Sequence, residues 1–166
     1  MKKKTAYLGA FLAFALILSY IESLIPFYFG IPGMKLGLAN LIVVVMLYLS
    51  GTKEAFVISV LRILLSGFLF GNMFGILYSL AGGVLSFIVM WLVKKTGQFY
   101  SVTVSVCGGI SHNVGQLFVA ALVVENYNVL YYMPVLLVAG IITGFVIGVL
   151  GEELIKRLQF LFQKKQ

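Results

Sequence analysis

The chain has no aspartate. Its five acids are all glutamates, at positions 22, 54, 125, 152 and 153, and charged residues of both signs make up only 10% of its 166 residues. Soluble domains carry about 25% charged residues, so the charge needed to cover a water-facing surface is missing. Disorder requires low hydrophobicity with high charge, and 61% of this chain is hydrophobic. A single cysteine, Cys107, and a single histidine, His112, exclude an intrachain disulfide framework and a thiolate metal site. No Gly-x-x-x-x-Gly-Lys-Ser/Thr loop is present, so the chain does not hydrolyse ATP by the P-loop route. What remains is an integral membrane protein in a single domain, 1–166.

The excess of cations, a net charge of +7, fits this class. In a membrane chain Lys and Arg mark cytoplasmic loops, and no nucleic-acid partner is expected. A spanning helix takes about 20 mostly apolar residues. Charged and turn residues divide the chain into six candidates, about 6–29, 36–50, 55–70, 72–93, 100–124 and 129–150; the second and third are short for the bilayer and are expected either to start inside loops or to lie where the protein is thin. The third and fourth fold back at Gly71-Asn72: a single helix over both would be about 58 Å long, against a core of about 30 Å. With both termini cytoplasmic, ten Lys and Arg lie inside and only Lys35 outside, while Arg62 falls within a span. The expected architecture is therefore an all-α, six-helix membrane bundle with an uncleaved first span. The tail from 151 mixes Leu154, Ile155, Leu158, Phe160, Leu161 and Phe162 with Lys and Glu. Such a segment is expected to lie as an amphipathic helix on the inner surface; the alternative is an extension of the sixth span.

Ionisable and amide side chains at membrane depth are costly, at least about 2.5–3.5 kcal/mol for a charge, and so mark candidate sites. Arg62 shares a helix face with Ser66. One reading is an anion-binding guanidinium facing the interior; the other is an Arg paired for packing. His112, Asn113 and Gln116 share the fifth span with Ser105, Gly108, Gly109, Ser111 and Gly115. Neighbouring amides favour a ligand site without a metal, since no carboxylate or thiol pattern accompanies the histidine. Lys35 and Asn40 stand near the outer end of the second span, with Glu22 as a partner for Lys35 and an aromatic loop, 26–34, as belt or lid. Cations outnumber the one acid at depth, so an anionic ligand is expected. Gly140, Gly144 and Gly148 form a ridge for internal packing, and Ala6 and Ala10 a small-residue face for packing or for docking another membrane subunit.

Four ordered blocks then carry a resemblance: Lys35-Leu36-Gly37-Leu38-Ala39-Asn40, Leu61-Arg62-Ile63-Leu64-Leu65-Ser66-Gly67 running to Phe70-Gly71, Ser79-Leu80-Ala81-Gly82-Gly83, and His112-Asn113-Val114-Gly115-Gln116. Over about residues 5–150 the chain resembles the Gx transporter family, also catalogued as heptaprenyl diphosphate synthase component I. That family is similar to the substrate-binding S components of energy-coupling factor (ECF) transporters. The resemblance implies a substrate-capture subunit of a bacterial cell membrane, docking through Ala6 and Ala10 on a coupling subunit with two ATPases. The synthase label implies a non-catalytic partner of prenyl diphosphate synthesis instead. Chain elongation holds Mg²⁺ with Asp-rich motifs, and this chain has no Asp and no paired Glu within its spans. Neither catalytic residues nor a resident cofactor are expected. A third reading is an independent small carrier working as a homodimer.

Overall fold

The structure is a computed structural model that describes residues 2–24 and 37–163, with side chains over 5–24 and 37–159. Six α-helices carry the fold: α1 Lys2–Leu24, α2 Asn40–Leu49, α3 Thr52–Phe70, α4 Met73–Lys95, α5 Ser101–Val124 and α6 Met133–Gln163, with a 3-10 segment Tyr127–Tyr132 before the last. No strand occurs among the described residues. Four helices, α1, α4, α5 and α6, are long and apolar enough to cross a bilayer. α3 has 19 residues, about 28 Å of helix, but carries Lys53, Glu54 and Arg62.

α2 departs most from the expected second span. It has ten residues, about 15 Å and half of a hydrocarbon core of about 30 Å. The physical cause is Gly37, at φ +77°, a left-handed conformation that only glycine takes freely. Its carbonyl accepts the Asn40 N–H at 2.8 Å, so the chain turns before the helix begins. α2 is also the innermost element, with every residue from Ile42 to Leu47 buried. A helix that is apolar all round belongs in a core.

The last helix also differs from expectation. It starts at Met133, four residues after the start expected for the sixth span, because Pro134 suits a first helical turn, where its missing N–H costs nothing. It then runs on without a break to Gln163. The expected surface helix is therefore the continuation of α6, stitched by the i,i+4 pairs Glu152–Lys156 (2.9 Å) and Glu153–Arg157 (2.7 Å). Ile155 in this extension is buried.

Glycines set the spacing of α4, α5 and α6. A methyl group at Gly144 would stand 2.7 Å from the Cα of Val106, and one at Gly148 2.7 Å from the Cα of Val102. One at Gly109 would strike the carbonyl oxygen of Gly140. The ridge Gly140–Gly144–Gly148 thus lies directly on the α5 backbone, the close approach that small residues permit between membrane helices. On the outer face of the bundle large side chains point away from it: Phe14, Phe68, Phe118 and Phe145 are each more than half exposed. An apolar exterior of this kind is solvated by lipid, not water.

Candidate functional site

Polar side chains from all six α-helices converge inside the bundle. The first group joins α1, α2 and α3. Arg62, buried midway along α3, donates from a terminal guanidinium nitrogen to Asn40 Oδ1 at 2.8 Å. Its Nε is buried with no hydrogen-bond partner among the described residues. Glu22, also buried, accepts the N–H of Gly37 and lies near enough to Arg62 to act on it electrostatically. The left-handed turn at Gly37 aims that N–H at the carboxylate. The buried Ser19 hydroxyl, one turn back on the face of Glu22, has no partner among the described residues.

The second group lines a cleft between α2, α4, α5 and α6. Its polar wall is Asn40, Ser86, Ser105, His112, Asn113 and Thr143, and its close approach is made by Gly108, Gly109 and Gly144. The cleft takes in about 350 Å³ when the space at its open mouth is counted. Its enclosed part has room for little more than a water molecule. Ser86 and His112 lie in the middle turns of α4 and α5, so the cleft sits at mid-bundle depth.

The structure divides the residues expected to share one cavity. His112, Asn113 and Asn40 line the cleft, and Asn40 joins it to Arg62 behind. Gln116 is buried one turn away and packs on α4, where a methyl group at Gly82 would stand 2.8 Å from its Cγ. Asn113 donates to the Leu136 carbonyl at 2.8 Å, so one of its amide donors ties α5 to α6. Lys35 and the loop 26–34 lie outside the described residues. Ala6 and Ala10 are exposed on α1, and Gly9 beside them has nothing within 4 Å of a Cβ position. No three His, Cys, Asp or Glu side chains come together among the described residues.

Sequence reasoning placed Glu22 beside Lys35 and did not join it to Gly37. It also passed over Ser86 and Thr143. Thr143 was detectable, since it stands beside Gly144 where two backbones approach and bonds back to Ala139 O at 2.9 Å. Ser86 had no such signal, because a lone serine in a membrane helix is ordinary.

A second polar cluster, at the opposite end of α2, is structural. Lys94 donates to the Leu47 carbonyl and stands 4.6 Å from the ring centre of Tyr48. It satisfies a C-terminal carbonyl that the short helix leaves free.

The family model described as heptaprenyl diphosphate synthase component I matches residues 11–154. No curated protein and no solved structure matches the chain.

Proposed function

The chain belongs to the heptaprenyl diphosphate synthase component I family, and from that premise we propose that it is a non-catalytic capture subunit for a small anionic or amphipathic ligand, similar in role to an ECF S component. The observation that carries this reading is the buried Arg62–Asn40 pair at the back of a polar cleft. A guanidinium in a bilayer costs several kcal/mol, and its planar fork matches carboxylate or phosphate. A bundle needing only packing has no use for it, since apolar residues serve as well. The small cleft implies that α1–α3 part from α4–α6 to admit the ligand.

In this reading six helical segments are threaded with both termini in the cytoplasm of a bacterial cell, following the ten-to-one cation bias. α2 goes only part way. Ala6 and Ala10 offer the coupling subunit a close-contact face, and partner ATPases supply the energy. Cysteines placed at Asn126 and Gly97 test the threading. An impermeant reagent added to intact cells should label the first and not the second; the reverse pattern overturns it. Ala6→Leu and Ala10→Leu should abolish uptake while leaving ligand binding intact, and unchanged uptake in both removes the docking claim.

The central experiment is gentle purification followed by mass spectrometry of the retained small molecule. Binding of that molecule is then compared among wild type, Arg62→Lys and Arg62→Ala. An anionic compound held by wild type, more weakly by Arg62→Lys and hardly at all by Arg62→Ala supports the proposal; equal retention by all three overturns it.

The family description favours a second reading, a membrane partner of a prenyl diphosphate synthase. The same anion-binding chemistry suits a diphosphate whose apolar tail lies in lipid. Co-purification separates the two: a soluble prenyl synthase supports this reading, and a coupling subunit with ATPases supports capture for transport.

A further inference from the structure

The groups around Glu22 are those an anionic ligand would seek. The Gly37 N–H points at its carboxylate, the Asn40 carboxamide lies one turn further along the chain, and the positive charge of Arg62 is close by. We infer that Glu22 is a built-in stand-in for the ligand: its carboxylate holds the Gly37 N–H at the edge of the Arg62 seat, and an external carboxylate or phosphate that takes both the N–H and the guanidinium binds by displacing it. This rests on the capture reading and adds the gate to it.

Two observations separate a displaceable stand-in from a permanent counter-ion. First, the seat is not saturated. A guanidinium has five donors and is best satisfied by a bidentate carboxylate, yet Arg62 Nε is buried without a partner among the described residues, and a terminal nitrogen is committed to Asn40. Donor capacity remains for an external anion. Second, Glu22 is carried by the least embedded long helix. Only 17% of the α1 span is buried within the protein, against 50% of the α5 span. A small tilt of α1 therefore moves the carboxylate without disturbing the glycine-packed block.

The device also fits the energetics. An empty guanidinium seat at this depth would leave an uncompensated charge, which is strongly destabilising. An internal carboxylate keeps the unliganded protein intact, and its cost is a reduced apparent affinity. That affinity falls by the fraction of molecules whose seat is vacant. If Glu22 fills the seat nine-tenths of the time, removing it tightens binding by about tenfold.

The test uses the full-length protein in detergent and inorganic phosphate as the probe, read by thermal shift across a concentration series. Glu22→Gln should lower the phosphate concentration giving half the shift by about tenfold or more. Glu22→Asp, which keeps the charge but draws it back by one methylene, should fall between the two and serves if Glu22→Gln folds poorly. Adding Arg62→Ala to either should abolish the response. A wild type that responds through Arg62 while both Glu22 variants bind phosphate equally or more weakly overturns the stand-in and leaves capture standing. No response from any variant that retains Arg62 overturns both.

Discussion

The two halves of the bundle are held together by different forces. Between α4, α5 and α6, backbone lies on backbone at Gly82, Gly109, Gly115, Gly140, Gly144 and Gly148, with no space for a methyl group. Between α1, α2 and α3 the packing is by apolar side chains, among them Ala15, Val43, Met46, Leu47, Ala55 and Ile58, and the polar contacts added to it are few: Glu22 to the Gly37 turn and Arg62 to Asn40. The first kind of contact fails abruptly when bulk is added, because close-packed interiors do not yield. The polar contacts can be exchanged, partner for partner, by any group of the same charge. A rigid wall facing an exchangeable one is an arrangement suited to taking up a small ligand.

The sharpest way to break the contrast is to add bulk on each side. Gly144→Val and Gly109→Val should each cost about 3 kcal/mol or more, at or above the upper end of overpacking costs, or yield no folded protein. Gly9→Val in α1, where nothing stands near, should change stability by less than about 0.5 kcal/mol. Unfolding in detergent checks all three, and equal losses would erase the distinction between the halves.

Next in size come the charges. Hydrogen bonds to charged groups contribute about 1.5–3 kcal/mol, so Arg62→Ala should weaken ligand binding by roughly tenfold to a hundredfold. Arg62→Lys should lose less and His112→Ala least, because a neutral imidazole contributes one ordinary bond. Titration of the retained ligand gives the order.

A smaller effect tests the seam inside the rigid half. Asn113→Leu removes the bond to the Leu136 carbonyl and should cost about 1 kcal/mol, with the Arg62 seat unaffected. A loss of phosphate response in this variant, with the fold intact, would show that the halves are coupled through α5. Smallest of all, Glu153→Gln breaks an exposed pair on the α6 extension and should shift stability by less than about 0.5 kcal/mol.

Much of the frame was legible in the residues. Long apolar runs gave the helices, and Gly71-Asn72 gave the reversal: Asn72 caps α4 by accepting the Gly75 N–H at 2.7 Å. Gly140, Gly144 and Gly148 announced close packing. That the second span is short for the bilayer was legible, but its start at Asn40 was not, since a left-handed turn at Gly37 looks in sequence like any glycine near a helix start. The site was half legible. Cost at depth singled out Arg62, His112, Asn113 and Gln116, but cost does not say which way a side chain turns, and Gln116 turned toward Gly82.

Composition alone determined the solvent: a chain that is 10% charged and 61% hydrophobic has to hide its backbone in helices and show its apolar side chains to lipid. That inference needs no contact between distant residues, because it depends only on what each segment carries. The joining of Glu22, Gly37, Asn40 and Arg62 was decided by tertiary structure. Glu22 and Arg62 are 40 positions apart on helices whose relative rotation is set by packing, and a turn of half a helix would have pointed either one at lipid.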